Sequence, residues 1–346
     1  MRANQSRVLH LSGGPSTMLR LGSARKDRPP VYVAYIGNFE PPHSTENDIA
    51  SALDRLGHEV VLYQEQDTHW PSLVDEIVAL DIDLVIWTRT HSLDRTDPEI
   101  QRETIRKIRE HCPVIGYHLD LFWGLTARSD RERWVRELPF FQETDWVFTA
   151  DGGNNHLWKD AGVNHYWLPP GIAGKNTEMV GTPSSKFRAE IGFVGSWKDY
   201  HPEWPHRKQL VSLVQNRYRR RFRSWEGHIR GQDLADLYAS VPILIGDSCM
   251  IGPGWYWSDR IPETLGRGGF LIHPDTPGLR DHFPAHTLVT YPLRNFRELR
   301  DTIDHYLRQK TERETIAAAG KLHVIEHHTY ERRMETVFKV VGLKTD

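Results

Sequence analysis

The chain alternates short apolar runs, rich in β-branched and aromatic residues, with longer amphipathic segments. This alternation is typical of βα units, in which helices join parallel strands and cover the sheet. The strands predicted in the first half are Val31–Ile36, Glu59–Tyr63, Leu84–Thr88, Val114–Tyr117, Trp146–Thr149 and His165–Leu168. Helices are predicted between them, for example over Asn47–Leu56 and Glu99–Glu110. The first half is therefore predicted to form one open α/β domain.

A stretch rich in proline and glycine, Leu168–Gly174, interrupts this alternation, and a polar stretch follows it as far as Ser185. The alternation then restarts, with predicted strands Ile191–Val194, Arg223–Trp225, Pro242–Ile245, Phe270–His273 and Leu288–Tyr291 and predicted helices near His206–Val214, Asp233–Ala239 and Asn295–Leu307. A length of 346 residues also exceeds what one such domain needs. The sequence therefore predicts a second α/β domain after a hinge.

The end of the chain holds two more helical segments, Glu312–His327 and Tyr330–Val341, which are too polar to form a core alone. We expect these C-terminal helices to pack back on the first domain. The predicted organisation is an N-terminal domain over residues 1–170, a hinge over 171–187, a C-terminal domain over 188–327 and a terminal helix over 328–346. Val8–Leu11 is a further candidate strand ahead of the first domain.

Charge and cysteine content exclude several classes of protein. The formal net charge of -2 argues against a surface coated in positive charge for nonspecific nucleic-acid binding. Cys112 and Cys249 are far apart in apolar surroundings, which predicts no disulfide and indicates a reducing compartment. No apolar run approaches the roughly 20 residues that span a bilayer. We expect a cytoplasmic protein without membrane insertion.

Open parallel sheets bind ligands at the carboxyl ends of their strands, so the loops after the strands come first in the search for a site. The loop Gly37–Glu46 follows the first main strand and precedes a helix, which makes Glu46 a candidate catalytic carboxylate. Ordinary helix capping, with Ser44 or Thr45 as the cap and Glu46 in the first turn, accounts for these residues equally well.

A titratable pair follows the strand that begins at Val114. His118 and Asp120 are two residues apart and would point the same way if the strand continued. The carboxylate would then orient the imidazole, or either group would contact a substrate hydroxyl. The alternative is a structural histidine, since the chain contains 19 of them. We take His118 and Asp120 as candidate catalytic residues.

A glycine and a serine end the first strand of the second half. At Gly195 and Ser196, backbone N–H groups can approach an anion, and Lys198 or Arg207 can neutralise a diphosphate. The plain alternative is a tight turn between a strand and a helix.

Charged residues also gather at a predicted helix start that contains Ser258, Arg260 and Glu263. A carboxylate in that position can accept two hydrogen bonds from a ribose diol, while the helix N–H groups face phosphate. The structural alternative makes Glu263 a favourable first-turn acid and Arg260 a surface cation.

Several ordered residue groups carry a family resemblance. They are Phe193–Ser196 at the domain entry, Ser258, Arg260, Glu263, Gly268 and Gly269 in a Ser-x-Arg-x-x-Glu-x-x-x-x-Gly-Gly segment, and His328, Thr329 and Arg332 in the closing helix. In these residues the second half resembles the C-terminal domain of the glycosyl transferases group 1 family, especially its branch related to spore-maturation proteins. The first half resembles the partner domain more loosely, through Gly57–Val60 and His118-x-Asp120.

The resemblance implies a GT-B fold, with two facing, doubly wound Rossmann-like domains and a sugar nucleotide bound in the cleft between them. It implies that Glu263 binds the donor ribose and that Arg260, with Lys198 or Arg207, contacts the diphosphate. His118 and Asp120 would face the transferred sugar or the acceptor. The implied activity is transfer of a sugar from a nucleotide-sugar donor to a hydroxyl acceptor.

One residue departs from the family pattern. Many retaining members carry an acid eight positions before the glutamate, where this chain has Trp255, so the resemblance leaves donor-sugar recognition and stereochemical outcome open. GT-B enzymes generally need no metal, because basic side chains and helix N-termini stabilise the leaving diphosphate. The one Asp-x-Asp motif, Asp81–Asp83, precedes a strand and is interpreted as a solvated turn. We expect no metal site and no cofactor beyond the donor.

Other functions fit the same fold. An epimerase or a phosphorylase is the alternative among enzymes, and a noncatalytic nucleotide-sugar or carbohydrate-binding protein is the alternative outside them. The basic, aromatic run Arg217–Arg223 raises a hydroxylated base in DNA as an acceptor, although such a run is also typical of a solvated helix end. The sequence leaves the acceptor open.

Overall fold

The computed structural model describes residues 19–21, 30–89, 97–120, 122–123, 131–198, 204–227, 229–248 and 255–344. The chain divides into two compact units. The first consists of Met1–Leu168 together with Tyr330–Asp346, and the second of Pro169–Thr329.

The first unit contains a seven-stranded sheet in the order β1-β3-β2-β4-β5-β6-β7. Its strands are β1 (Leu19–Leu21), β2 (Tyr32–Gly37), β3 (Glu59–Gln64), β4 (Leu84–Trp87), β5 (Val114–His118), β6 (Trp146–Thr149) and β7 (His165–Trp167). Strands β2 to β7 run parallel, and β1 is antiparallel to β3 at the edge. All residues of β4 and β5 are buried, as expected for central strands that helices cover on both faces.

The helices of the first unit are α1 (Thr45–Arg55), α2 (Trp70–Ala79), α3 (Pro98–Ile108), α4 (Arg131–Gln142), α5 (Asn155–Asp160) and, from the end of the chain, α13 (Tyr330–Val341). Short 3-10 turns lie at Glu65–Asp67 and Gly152–Asn154. Ser44 caps α1 by accepting the backbone N–H of Asn47 at 3.1 Å. The last helix packs on α1, where Arg55 and Glu331 form an ion pair at 2.9 Å.

The second unit contains a five-stranded parallel sheet in the order β12-β11-β10-β8-β9. Its strands are β8 (Ile191–Val194), β9 (Phe222–Trp225), β10 (Ile243–Ile245), β11 (Leu271–Pro274) and β12 (Val289–Tyr291). Its helices are α6 (Gly174–Thr177), α7 (His206–Tyr218), α8 (Gly231–Ser240), α9 (Arg260–Gly266), α10 (Leu279–His282), α11 (Phe296–Arg308) and α12 (Lys310–His327), with 3-10 turns at Ser185–Phe187 and Arg219–Arg221. Because β8 pairs with both β9 and β10, the loops after β8 and β10 lie side by side.

The sequence-based prediction of strands is confirmed from residue 31 onward, since each predicted strand is present with ends shifted by at most one residue. Strand β1 was not predicted, and helices α2 and α4 lie between predicted strands without having been assigned bounds from the sequence. The candidate strand Val8–Leu11 lies outside the described residues. Of the two C-terminal helices expected on the first domain, only α13 belongs to the first unit. Helix α12 belongs to the second unit. Gly320 allows it to pack closely there, because a Cβ at this position would stand 2.6 Å from the backbone oxygen of Thr287.

None of the helices in the described part of the chain combines the length and the apolar character that a membrane span requires.

Candidate functional site

The turn after β8 strongly favours glycine. Gly195 has a φ of +118°, a backbone conformation that residues with a side chain rarely adopt. A Cβ at this position would also stand 2.8 Å from Nη2 of Arg260. Gly195 therefore lets the backbone turn and lets an arginine side chain lie directly against it.

Arg260 is the first residue of α9, and its guanidinium bridges the ends of two neighbouring strands. Nη2 donates to the backbone oxygen of Val194 at 2.9 Å, and Nη1 donates to that of Asp247 at 2.6 Å. The guanidinium also lies over the ring of Phe193, 4.9 Å from its centroid. Burial, and then the charge of Arg207, lower the pKa of Arg260, but an arginine keeps its charge at neutral pH. A fixed positive charge thus stands beside the Gly195 turn.

A second arginine, from the first turn of α7, reaches the same place. Arg207 is buried, and its Nη1 donates to the backbone oxygen of Ser196 at 3.4 Å. Its Nη2 donates to the backbone oxygen of Asp247 at 3.2 Å, the same oxygen that Arg260 contacts. The structure therefore brings Gly195, Ser196, Arg207 and Arg260 together, as the sequence analysis predicted.

Asp247 organises this cluster, although the sequence analysis did not single it out. It follows β10 and is completely buried. Its Oδ2 accepts from Nε of Arg207 at 3.2 Å and from Nε1 of Trp204 at 3.1 Å, and its Oδ1 accepts from Nδ1 of His206 at 2.9 Å. Burial alone would raise the pKa of the Asp247 carboxyl, but the hydrogen bond from His206 and the nearby positive charges outweigh it and lower the pKa. The carboxylate is thus held in its charged form.

Ser258, which comes two residues before α9, is also held in place by hydrogen bonds. Its backbone N–H donates to the hydroxyl of Ser248 at 3.0 Å, and that hydroxyl lies 3.1 Å from Nε2 of His273. Burial lowers the pKa of His273 to about 4, so this imidazole is neutral at physiological pH. The loop after β10 and the start of α9 are therefore tied together by neutral hydrogen bonds.

Glu263 lies one helical turn after Arg260 on the same face of α9. Its Oε2 accepts from Nε of Arg267 at 3.0 Å, and the Arg267 side chain is almost completely buried. The predicted ribose ligand is thus also the partner of a buried arginine, a contact that the sequence analysis missed.

Lys198 lies apart from this cluster. Its ammonium group contacts Glu226, which follows β9, at 3.3 Å, and its side chain is 61% exposed. The structure therefore brings Arg207, and not Lys198, to Arg260.

In the first unit, His118 is the last residue of β5 and is buried. Its Nδ1 lies 3.0 Å from the backbone oxygen and 3.3 Å from the backbone nitrogen of Asp120. These contacts come from the Asp120 backbone, because β5 ends at His118 and the chain turns there. Orientation of the imidazole by the Asp120 carboxylate stays a prediction.

A carboxylate missed by the sequence analysis lies on the neighbouring strand end. Asp151 follows β6 and is completely buried, and its Oδ2 accepts the backbone N–H groups of Phe122 at 2.7 Å and Trp123 at 3.0 Å. Burial raises the pKa of the Asp151 carboxyl, while these hydrogen bonds oppose the rise. The strand-end rule that selected His118 applies equally to Asp151 and could have found it.

Glu46 lies in the first turn of α1 and is buried, with its Cγ 3.0 Å from where a Cβ on Gly37 would stand. Gly37 ends β2, and β4 separates β2 from β5. Two strand spacings put the end of β2 about 10 Å from that of β5. Glu46 and His118 thus lie at the same edge of the sheet, beside the ends of β2 and β5.

The basic run Arg217–Arg223 precedes or begins β9 and therefore lies at the edge of the second sheet opposite the arginine cluster. Arg217 binds Asp304 at 3.0 Å, and Arg221 binds Glu190 at 2.8 Å. Within the described residues, no group of three or more histidine, cysteine or acidic side chains is arranged to hold a metal ion.

Comparisons with known proteins agree with this architecture. Residues 183–339 match the family model described as glycosyl transferase-like, so the predicted family resemblance is confirmed for this region. No curated protein matches the chain significantly. The finer assignment to the spore-maturation branch stays a prediction.

Three solved structures illustrate the structural likeness. A glycosyltransferase from Rickettsia africae shares 10% identity and a TM-score of 0.60, covering 92% of this chain and 100% of its own. An alpha-glucosyltransferase in complex with UDP and a 13-mer DNA containing a HMU base shares 9% identity and a TM-score of 0.66, covering 91% of this chain and 100% of its own. Anabaena HepE in complex with UDP-glucose shares 12% identity and a TM-score of 0.58, covering 90% and 99%. The chain therefore has the GT-B glycosyltransferase fold.

Proposed function

We propose that this protein is a glycosyltransferase that transfers a sugar from a nucleotide-sugar donor to a hydroxyl acceptor. The observation that carries the proposal is the convergence of Arg207 and Arg260 on the Gly195–Ser196 turn. The two guanidinium groups are held in place beside a backbone turn. Such an arrangement suits the two phosphates of a nucleoside diphosphate. Two of the structurally similar proteins were solved with UDP or UDP-glucose, which makes a uridine nucleotide the first donor to test.

In this proposal the two arginines stabilise the diphosphate as it leaves. Negative charge grows on the leaving diphosphate in the transition state, and fixed cations in a buried setting stabilise it there more than in water. In other transferases a metal ion neutralises the leaving diphosphate, and here the positive side chains would do so. We therefore propose metal-independent transfer with no cofactor besides the donor. Glu263 binds the ribose hydroxyls, and Ser258 completes the binding segment.

The catalytic residues proposed in the first unit are His118, Asp120 and Glu46. A histidine at a strand end can take a proton from an acceptor hydroxyl or hydrogen-bond the transferred sugar. The buried Asp151 supports this proposal, since it fixes the loop at Phe122 and Trp123 that continues from His118 and Asp120.

A hydroxylated base in DNA is a second candidate acceptor, because an alpha-glucosyltransferase of similar fold was solved in complex with UDP and a 13-mer DNA containing a HMU base. The basic run Arg217–Arg223 does not support it, because Glu190 and Asp304 pair with two of its arginines and it lies opposite the ligand edge of the sheet. A DNA acceptor would have to be recognised by other residues. Acceptor assays should therefore include DNA beside glycans.

The experiment is a panel of UDP-, GDP-, ADP- and dTDP-sugars, scored by thermal stabilisation and by release of the nucleoside diphosphate. A ligand at 100 times its Kd adds about 2.7 kcal/mol to the stability of the folded state. We expect one nucleotide to stabilise the protein and its sugar derivative to turn over with a hydroxyl acceptor, among them glycans and DNA with a hydroxymethylated base. Binding without turnover would favour a noncatalytic binding protein, release of a rearranged sugar would favour an epimerase, and no binding would reject the proposal.

A further inference from the structure

Asp247 contacts both arginines of the cluster: its carboxylate accepts from Nε of Arg207, and its backbone oxygen accepts from Arg207 and Arg260. We propose that Asp247 is a positioning residue, which fixes Arg207 in the orientation that receives the donor diphosphate. The inference rests on the proposed function and adds a residue that determines diphosphate affinity without contacting the ligand.

The contacts of Asp247 leave its carboxylate no freedom to turn. One oxygen accepts from His206 at 2.9 Å, and the other accepts from Trp204 at 3.1 Å and from Arg207 at 3.2 Å. Three donors from one segment, Trp204–Arg207, thus converge on a completely buried acceptor from another strand end. Because the hydrogen bond to Arg207 comes from Nε, it fixes the plane of the guanidinium and not only the position of its charge.

Electrostatics explains why the arrangement needs such an anchor. Arg207 and Arg260 are close enough for the charge of one to lower the pKa of the other. Without a ligand, two such cations repel each other and would move apart if nothing held them. Asp247 holds Arg207 through its carboxylate and both arginines through its backbone oxygen. The pair is therefore formed before the diphosphate arrives.

If Asp247 acted only as a counter-charge to the arginines, removing its charge would change the affinity for UDP in the opposite direction. Neutralising a carboxylate makes the cluster more positive, and a more positive cluster attracts a diphosphate more strongly if the arginines stay in place. Loss of positioning weakens binding instead, because the ligand must then order a mobile arginine. The direction of the change in affinity separates the two roles.

The first test is Asp247→Asn, which keeps the size of the side chain and removes its charge. We expect the Kd for UDP to rise by about 3- to 10-fold, the cost of ordering one long side chain on binding, and the Kd for uridine to stay unchanged. Asp304→Asn is the matched control, because Asp304 binds Arg217 at 3.0 Å but lies in α11 near the opposite edge of the sheet. Unchanged or tighter UDP binding by Asp247→Asn, or equal losses for UDP and uridine, would overturn the inference.

A double-mutant cycle tests whether Asp247 acts through Arg207. We expect Asp247→Asn to change UDP affinity less than about twofold in an Arg207→Ala background, because the group that it orients is gone. Additive losses would show that Asp247 acts in another way. If wild-type protein binds no nucleotide, the proposed function fails and this inference with it, whereas wild-type binding with an unaffected Asp247→Asn variant rejects this inference alone.

Arg207→Lys provides an independent test that leaves Asp247 intact. The lysine keeps the positive charge but has no Nε–H to be held by the carboxylate and no planar fork. We expect its UDP affinity to fall by at least the 3- to 10-fold expected for Asp247→Asn. Wild-type affinity in Arg207→Lys would show that charge alone suffices and would overturn the proposal even if Asp247 variants fail to fold.

Discussion

The Gly195 turn offers the sharpest separation of stability from function. Gly195 has a φ of +118° and Gly227 a φ of +101°, and the two follow the neighbouring strands β8 and β9. An alanine at either position is forced into a sparsely populated backbone conformation. The strain costs about 1–3 kcal/mol, and at about 2–4 °C per kcal/mol the two variants should each melt roughly 2–12 °C below wild type.

Only the substitution at Gly195 should weaken binding of the donor nucleotide. The new Cβ of Gly195→Ala would stand 2.8 Å from Nη2 of Arg260, whereas no described atom lies within 4 Å of the corresponding position at Gly227. Because a side chain moves more easily than backbone, Arg260 should give way and lose its hydrogen bond to Val194. Losing one charge-assisted contact costs about 1.5–3 kcal/mol, or roughly 10- to 150-fold in affinity.

The assay is titration of UDP, or of whichever nucleotide the panel identifies, into both alanine variants beside a melt of each unliganded protein. We expect both melting temperatures to fall and only Gly195→Ala to bind the nucleotide more weakly. Equal affinities in the two variants would show that Arg260 does not contact the ligand from its position beside Gly195.

Glu263→Ala should weaken donor binding by about 1.5–3 kcal/mol, or roughly 10- to 150-fold, if its carboxylate binds the ribose; a lower melting temperature with unchanged nucleotide affinity would leave it only as the partner of Arg267. Transfer should survive EDTA, and a loss of turnover that magnesium or manganese restores would contradict metal independence. The pKa of His273, lowered to about 4, means that the unfolded chain binds a proton below pH 6.5 that the folded chain does not. Stability present above pH 6.5 should thus be lost toward pH 4, by about 3 kcal/mol at most, and His273→Gln should show a smaller drop in melting temperature between pH 7 and pH 5 than wild type.

The strands could be predicted because each is a short apolar run with polar residues on both sides. Ile191–Val194 and Trp146–Thr149 have the same bounds in the sequence analysis and in the structure. Helix α2 gave a weaker signal, because it begins at Trp70 after a residue that makes no side-chain cap. Helix α4 contains Pro139, which disfavours a helix when the sequence is considered alone.

Only those residues of the candidate site that lie in or near the loops after strands could be predicted from the sequence. Gly195, Arg207 and Arg260 could be named from the sequence, and the structure brings them together. The contact between Asp247 and Arg207 could not be predicted from the sequence. Asp247 is 40 positions from Arg207, and the two residues meet only because β8 pairs with β10. Lys198 was an equal candidate in the sequence because local spacing does not tell which way a loop side chain turns.

The most direct test of the central claim is a crystal structure of this protein with UDP bound. We expect the diphosphate oxygens to lie within hydrogen-bonding distance of the guanidinium groups of Arg207 and Arg260 and of the backbone N–H of Ser196, with the ribose hydroxyls on Glu263. The backbone N–H of Gly195 already donates to the backbone oxygen of Trp225 at 2.9 Å. A diphosphate bound elsewhere, with Arg207 and Arg260 still contacting only Asp247 and the strand ends, would contradict it.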